Sequence, residues 1–154
     1  MIYNYSFKYN FVDLAFFKKL ARFVALSLKK GDNISLVGDL GVGKTTFVKF
    51  LVHTLAPDED VSSPTFSIIN EYHFSKFTIY HIDLYRVNSL SEIYDLGIDC
   101  ICDDGVGIVE WSGLLDGILD FNLKISIKYS AEDNLRNVEV FVNDGKKYDV
   151  FKNL

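Results

Sequence analysis

The chain has 154 residues, a length typical of one domain, and a formal net charge of −5 at pH 7. This negative charge argues against unaided binding to a nucleic-acid backbone, and the only arginines are Arg22, Arg86 and Arg136. Hydrophobic residues make up 49% of the sequence, which is enough for a real core, and no linker divides it. We therefore expect a single domain over residues 1–154.

The sequence shows no sign of secretion or of membrane insertion. Its N-terminal residues lack a basic region followed by an apolar core, and its longest apolar stretches fall well short of a membrane span. Cys100 and Cys102 are too close in sequence to pair comfortably. We expect reduced thiols, a cytoplasmic protein and no contact with a membrane.

The first predicted elements are a helix, a buried strand and a second helix. Residues 12–28 form the first helix, because apolar side chains recur there at three- and four-residue spacing: Leu14, Phe17, Leu20, Ala21, Val24 and Leu28. Residues 34–37 form the strand, and the second helix covers residues 45–53. Residues 38–45, between the strand and the second helix, read G-x-x-x-x-G-K-T.

This segment is the phosphate-cradling P-loop. Gly38, Gly41 and Gly43 permit positive φ angles, so that consecutive backbone N–H groups can turn inward around an anion. The helix that follows adds the dipole of its N-terminus to the same site. In such a loop Lys44 reaches the β- and γ-phosphates, and the Thr45 hydroxyl binds Mg²⁺. The sequence therefore predicts binding of a nucleoside triphosphate.

The later elements complete an α/β pattern. They are predicted, in chain order, as a hairpin of residues 66–72 with 78–83, a short helix at 90–96, a strand at 106–110, and a closing hairpin of 123–129 with 138–142. Helices alternating with strands around a P-loop favour a P-loop NTPase-like sheet with helices on both faces and a C-terminal β-hairpin.

Two acids follow predicted strands, where a P-loop fold needs a carboxylate opposite Thr45 to hold Mg²⁺ or its water. Glu110 follows the more uniformly apolar run and is the better match for a magnesium carboxylate. Asp83 is nearer the polar segment 63–65, where it could position the water of the ion or the attacking water. Both assignments stay open at this point.

Several neighbouring residues have two readings. His81 is expected to be a hydrogen-bonded core or edge histidine rather than a catalytic base. Ser63, Pro64 and Thr65 form either an ordinary turn or a switch loop whose hydroxyl meets the γ-phosphate. Trp111 follows Glu110 and could sense nucleotide or a partner, although core packing is the ordinary role of such a residue.

Five segments, taken in order, resemble a known family. They are residues 38–47 (GDLGVGKTTF), 63–66 (SPTF), 71–72 (EY), 81–86 (HIDLYR) and 109–111 (VEW). Together they resemble TsaE (YjeE), the small bacterial P-loop ATPase of the tRNA threonylcarbamoyladenosine pathway. The resemblance spans roughly residues 11–143, and its most specific part is H-x-D-L-Y-R combined with S-P-T-F and E-W.

The resemblance implies a set of site residues. Lys44, Asp83 and Glu110 would be catalytic, and Mg²⁺ would be held at Thr45 and Glu110, with Asp83 as a second functional acid. The switch-like loop would be residues 63–66, with Ser63, Pro64 and Thr65 as its site residues. The ATP contacts implied by the family are Gly41, Val42, Gly43, Lys44, Thr45 and Thr46, with Phe11 placed by position against the adenine and Arg136 near the nucleotide.

One departure from the family pattern lies after Trp111. Family members usually follow E-W with Pro or another small residue and then Glu or Gln, whereas this chain has Ser112 and Gly113. No role attached to that later acidic or amide side chain carries over to this protein.

The family also implies partners. Its members act with TsaB and TsaD, and TsaD transfers the threonylcarbamoyl group while ATP hydrolysis by the small ATPase drives or resets the cycle. The resemblance therefore implies a weak Mg²⁺-dependent ATPase, stimulated by these partners, that meets tRNA only through them. The low arginine count and the negative charge agree with this division of labour.

Two other functions remain open from the sequence. A small-molecule P-loop kinase would need a lid and several cationic groups to clamp phosphates, of which three arginines supply few. A nucleotide-binding regulatory module with negligible hydrolysis would fit the lack of an obvious arginine finger beside the P-loop. The sequence carries no N-K-x-D-type motif for guanine, which favours ATP over GTP.

Overall fold

Seven strands form one mixed sheet in the computed structural model, which describes residues 3–143 and 149–154, the side chains of Asp99, Val150 and Asn153 excepted. In chain order they are β1 (Tyr5–Val12), β2 (Asn33–Val37), β3 (Ile69–His73), β4 (Thr78–Asp83), β5 (Val106–Glu110), β6 (Leu123–Tyr129) and β7 (Arg136–Val142). The spatial order is β1-β7-β6-β2-β5-β4-β3. The pairs within β6-β2-β5-β4 are parallel, and the outer pairs, including the predicted β3–β4 and β6–β7 hairpins, are antiparallel.

Four α-helices cover the described part of this sheet: α1 (Leu14–Ser27), α2 (Lys44–Leu55), α3 (Leu90–Asp95) and α4 (Ile98–Asp104). Short 3₁₀ segments lie at Ser112–Leu115 and Asp149–Asn153. The N-terminus of α1 is capped by Asp13, whose carboxylate accepts a 2.8 Å hydrogen bond from the backbone N–H of Phe16. None of the helices in residues 3–143 and 149–154 has the length and apolar character that a membrane crossing would need.

The core lies on both faces of the sheet. Neighbouring residues of β5 point to opposite faces, so that Ile108 joins the apolar cluster of α1 and α2 while Val109 joins that of α3 and α4. Phe47 of α2 is fully buried in the first cluster. Ile93 and Ile98 are fully buried in the second. This two-sided burial confirms the predicted α/β class with helices on both faces.

The N-terminal region differs from the prediction. The first helix begins at Leu14 rather than at Val12, because Val12 ends β1, a strand that was not predicted. Leu14 was expected on the buried face but is 62% exposed, since it occupies the first turn of α1. Most of β1 is exposed or half-buried, and it pairs with β7 on one side only, although its aromatic residues at 5, 7, 9 and 11 alternate with polar residues as in a strand.

The prediction also misplaced the start of one strand and omitted one helix. The strand predicted from residue 66 begins at Ile69, because Ile68 has a left-handed φ of 67° and its N–H donates a 2.6 Å hydrogen bond to the carbonyl of Pro64. That bond closes a turn and delays the strand. Helix α4 was not predicted, and it begins directly after Gly97, which has a φ of 64°.

The parallel strands place three positions at one edge of the sheet. Strands β2, β4 and β5 end at Val37, Asp83 and Glu110. In the register of the sheet, Glu110 lies beside Leu36 on one side and beside Asp83 on the other. The P-loop leaves β2 at this same edge, so both acids lie next to it.

Candidate nucleotide-binding site

The P-loop turns tightly between β2 and α2. Gly43 precedes α2 with a left-handed φ of 117°, a conformation that residues with a side chain rarely adopt. Gly38 lies so close to the carbonyl of Ile127 and to the side chain of Val42 that a Cβ atom there would clash with both. The two glycines let the backbone circle a space in front of the N-terminus of α2, as the loop's sequence predicts.

Lys44 is folded back onto its own loop. Its ammonium group donates hydrogen bonds to the carbonyls of Gly38 at 2.9 Å and Asp39 at 3.0 Å. It also lies 4.4 Å from the centroid of the Trp111 ring. Burial lowers the pKa of the Lys44 ammonium below its ordinary value, although the carboxylates of Glu110 and other nearby acids act in the opposite direction. The site thus holds a desolvated cation whose hydrogen bonds go to neutral carbonyls.

Glu110 contacts the first turn of α2. Its Oε1 atom accepts a 2.8 Å hydrogen bond from the Thr45 hydroxyl and a 2.9 Å hydrogen bond from Nε2 of His81. Glu110 is only 3% exposed, and His81 is fully buried. The expectation that His81 is a hydrogen-bonded core histidine is therefore confirmed. The structure brings Glu110 and Thr45 together in the arrangement that a magnesium site beside a P-loop needs.

Asp83 contacts a different segment. Its Oδ2 accepts a 2.6 Å hydrogen bond from the hydroxyl of Thr65, which lies 2.8 Å from the hydroxyl of Ser63. Its Oδ1 accepts a 2.9 Å bond from the backbone N–H of Tyr85. The predicted proximity of Asp83 to the segment 63–65 is confirmed. The buried Asp83 therefore links β4 to this segment, in which Pro64 is also buried.

A cavity of about 370 Å³ joins these groups. Its lining includes the P-loop side chains, both acids and both hydroxyls of the segment 63–65: Leu40, Gly41, Gly43, Lys44, Thr45, Thr46, Ser63, Thr65, Asp83, Tyr85, Glu110 and Trp111. The hydroxyl and carboxylate oxygens there are the hard donors that suit Mg²⁺. In the described part of the chain, no three His, Cys, Asp or Glu side chains are grouped to hold a metal alone. This donor set fits an ion that also takes oxygens from water and phosphate.

A second cavity, of about 150 Å³, opens on the other side of the P-loop. Its lining is mixed apolar and polar: Val12, Asp13, Leu14, Phe17, Gly41, Val42, Gly43, Thr46, Asn134 and Arg136. Arg136 is fixed there, because its Nε donates a 3.0 Å hydrogen bond to the carbonyl of Val42 and its guanidinium lies 4.8 Å from the Tyr129 ring. Phe11 is 53% exposed and lines an adjoining shallow depression rather than this cavity.

Trp111 lines both the cavity of about 370 Å³, which we call the phosphate-side cavity, and a larger cleft of about 950 Å³. The tryptophan is half-buried: it packs on the α3–α4 cluster and also contacts Lys44, so it combines core packing with a position beside the P-loop. Ser112 is buried and bonds to Ser35 at 2.7 Å, whereas Gly113 is exposed. The segment that departs from the family pattern therefore anchors on β2 and presents no acidic or amide side chain to the cleft.

Sequence reasoning missed several residues around the P-loop. Tyr129 donates a 2.9 Å hydrogen bond to the carbonyl of Leu40, and Asp13 and Asn134 line the smaller cavity. Tyr129 could have been found, because it is the last residue of the predicted strand 123–129 and therefore lies at the end of a strand, as the P-loop does. Asp13 and Asn134 lie far from the P-loop in sequence, and only the tertiary fold brings them there.

The central parallel strands, with a P-loop between β2 and α2 and with two acids at the adjoining strand ends, define a nucleotide-binding protein of the P-loop α/β class. The family model described as Threonylcarbamoyl adenosine biosynthesis protein TsaE matches residues 13–138. This chain belongs to the TsaE family.

Individual relatives agree with that membership. The tRNA threonylcarbamoyladenosine biosynthesis protein TsaE of Bacillus subtilis is 40% identical over 135 residues, covering 86% of this chain and 83% of that protein. The protein of the same name from Rickettsia felis is 36% identical over 135 residues, covering 84% and 76%. A crystal structure of Bacillus subtilis YdiB superposes with a TM-score of 0.72 at 31% identity, covering 97% of this chain and 93% of that chain.

Proposed function

We propose that this protein binds ATP together with Mg²⁺ and hydrolyses it slowly in the service of tRNA threonylcarbamoyladenosine modification. A role in this biosynthesis follows from membership of the TsaE family. The observation that carries the nucleotide chemistry is the 2.8 Å hydrogen bond from Thr45 to Glu110 at the mouth of the P-loop. In a P-loop this threonine hydroxyl is the one that binds Mg²⁺, and here it is hydrogen-bonded to a buried carboxylate at the end of the neighbouring strand.

Each residue has a role in this proposal. The backbone of residues 41–46 cradles the phosphates, and Lys44 leaves its own loop carbonyls to contact the β- and γ-phosphates. Thr45 and Glu110 hold the magnesium ion, which supplies charge neutralisation at the phosphate oxygens when it is bound. Asp83 orients water, and Thr65, hydrogen-bonded to it, is the hydroxyl that meets the γ-phosphate.

The smaller cavity is the proposed site of the base. Its volume of about 150 Å³ suits a single planar base, and Arg136 at its wall is held in place by the Val42 carbonyl. Phe11 lines a neighbouring depression that shares Val12 and Asp13 with this cavity, and its proposed role is to cover the base. The exposed Phe11 ring would then gain an apolar contact on nucleotide binding.

Slow hydrolysis follows from the scarcity of cationic side chains around the proposed phosphate site. The described residues lining the phosphate-side cavity include Lys44 but no arginine. Arg86 stacks on the Phe66 ring at 4.2 Å, and Arg136 bonds to the Val42 carbonyl. Because an arginine finger raises phosphoryl-transfer rates by about 10³–10⁵-fold, we expect partners to stimulate the reaction.

The proposed partners are TsaB and TsaD, and the proposed compartment is the cytoplasm. With a net charge of −5, the protein is poorly suited to hold tRNA alone, so tRNA is met through the partners. The test is a pull-down of TsaB and TsaD with and without ATP, followed by an assay of tRNA modification. We expect nucleotide-dependent association, and loss of modification with Lys44→Ala but not with Lys49→Ala on the exposed face of α2. Modification that proceeds undiminished with Lys44→Ala would refute the proposal.

A small-molecule kinase is the second candidate. The observation that favours it is the cleft of about 950 Å³, which shares Gly38, Asp39 and Trp111 with the P-loop region and has room for a phosphate acceptor. A kinase would consume ATP only when a small acceptor is present. ATP consumption by the protein and its partners without such an acceptor would exclude this candidate.

A further inference from the structure

His81 is a buried polar side chain for which the proposed reaction so far has no use. It lies on β4 and is fully buried, and its Nε2 atom is 2.9 Å from Oε1 of Glu110. An ionised carboxylate only accepts hydrogen bonds, so Nε2 must carry the hydrogen of this bond. In the neutral imidazole Nδ1 is then an acceptor, and within the described residues it has no hydrogen-bond partner.

The same carboxylate oxygen is also bound from α2. Oε1 of Glu110 accepts the Thr45 hydroxyl at 2.8 Å, so donors from β4 and α2 converge on one atom. The Tyr72 ring lies on one side of His81, with a centroid distance of 6.5 Å and an interplanar angle of 29°. The orientation of Glu110 is therefore determined by His81 as well as by Thr45.

We propose that His81 is the positioning residue of Glu110: its Nε2–H holds the carboxylate in the orientation in which Glu110 and Thr45 take up the magnesium–nucleotide complex. The proposal rests on the proposed function of this site. His81 touches neither nucleotide nor ion and acts through Glu110. Partners of this kind, which orient a metal-binding side chain, change metal affinity or activity by about 10–100-fold when they are lost.

Three variants separate the hydrogen bond from the shape of the ring. In His81→Gln the side-chain amide nitrogen is the same number of bonds from Cγ as Nε2 is in histidine. A hydrogen-bond donor for Glu110 therefore remains. His81→Phe keeps a ring of similar shape but removes the donor. His81→Asn is polar yet too short to reach, and it replaces the Phe variant if that variant does not fold. His73→Phe, at an exposed histidine of β3, is the matched control.

The decisive measurement is ATP affinity by titration calorimetry, first in EDTA and then at increasing Mg²⁺ concentrations. We expect His81→Phe to bind ATP in EDTA within about twofold of the parent, because the P-loop backbone is unchanged. The Mg²⁺ concentration at half-maximal enhancement of ATP binding should rise about tenfold or more, and kcat should fall by a similar factor with little change in KM. His81→Gln should recover most of both, and His73→Phe should match the parent.

Other outcomes would overturn the proposal. His81→Phe with the parent's Mg²⁺ dependence would show that Glu110 needs no such support. Equal impairment of the Gln and Phe variants would assign His81 to packing alone, as would equal losses of affinity in EDTA and in Mg²⁺. If the parent protein hydrolyses no ATP even with its partners, the proposed hydrolysis fails, but the Mg²⁺ dependence of ATP binding still decides the role of His81.

Discussion

The ammonium group of Lys44 lies 4.4 Å from the centroid of the Trp111 ring and donates its hydrogen bonds to carbonyls of its own loop. A polyphosphate in the P-loop would compete for this ammonium group with a full negative charge, which neutral carbonyls lack. The cation over the indole ring would then move, and Trp111 also borders the large cleft. Occupancy of the phosphate site is therefore linked to a residue of the neighbouring cleft.

This contact predicts a change in tryptophan fluorescence on nucleotide binding. The protein contains one tryptophan, so the emission reports Trp111 alone. We expect saturating ADP or ATP to change its intensity or wavelength, because a cation leaves the face of the ring. Lys44→Ala should alter the spectrum of the free protein, whereas Lys49→Ala should not. An unchanged spectrum at a nucleotide concentration shown by calorimetry to saturate the site would contradict this coupling.

The depressed pKa of Lys44 predicts weaker nucleotide binding at alkaline pH. Burial lowers the pKa of this ammonium from 10.5, whereas bound phosphates favour its charged form and raise the pKa. At pH values between the pKa of Lys44 in the free protein and its pKa in the complex, nucleotide binding is therefore accompanied by uptake of a proton. The affinity falls as pH rises through the lowered pKa of the free protein. We expect Kd for ADP to begin rising below pH 10.5, by at most about tenfold per pH unit. Lys44→Ala removes the titrating group, so its weaker affinity should lose this dependence; the same pH profile in that variant would assign the effect elsewhere.

The bond between Thr65 and Asp83 predicts a local effect on the segment 63–68. Thr65→Val keeps the shape of the side chain but removes the 2.6 Å hydrogen bond to Asp83. We expect faster amide hydrogen exchange in this segment and a global unfolding free energy lowered by only about 1 kcal/mol. Ser67→Ala, which removes an exposed bond to Asn70, is the control. Unchanged exchange in Thr65→Val would show that the hydroxyl does not tether the segment.

The core predicts a strong contrast between two leucines. Leu51 of α2 is fully buried, whereas Leu26 of α1 is 67% exposed. Leu51→Ala should lower the free energy of unfolding by about 2–5 kcal/mol, because it removes buried methyl groups and leaves a cavity. Leu26→Ala should change it by only about 0.5 kcal/mol. Urea unfolding followed by circular dichroism measures both, and equal losses would contradict the packing of α2 against the sheet.

The sequence was most informative where fold and function depend on residues that are consecutive in the chain. The P-loop needs consecutive residues, so residues 38–45 predicted both the turn and the helix that follows it. Asp83 and Glu110 could be located because each follows an apolar run, and parallel strands bring such ends to one edge.

Relationships across the sheet could not be predicted in the same way. Nothing in the sequence says that His81 bonds to Glu110, because that contact depends on the pairing of β4 with β5 and on side-chain orientation. Strand β1 is different, because it was missed although its sequence carries a strand signal: aromatic residues at 5, 7, 9 and 11 alternate with polar residues at 6, 8 and 10. Leu14 was misplaced because a helical period shows which residues share one face of a helix, but not how much of that face the sheet covers.

Single-turnover ATP hydrolysis by Glu110→Ala tests the central claim most directly. Preformed complexes of ATP with the parent, Glu110→Ala and the control Glu139→Ala, at a half-buried glutamate of β7 that pairs with Lys8, are mixed with excess Mg²⁺. Phosphate release is followed with and without TsaB and TsaD. The carboxylate bound to Thr45 at 2.8 Å should be required, so Glu110→Ala should lose about 10-fold or more of the Mg²⁺-dependent rate while Glu139→Ala retains it. A parental rate in Glu110→Ala would contradict this account and move the magnesium site to Asp83.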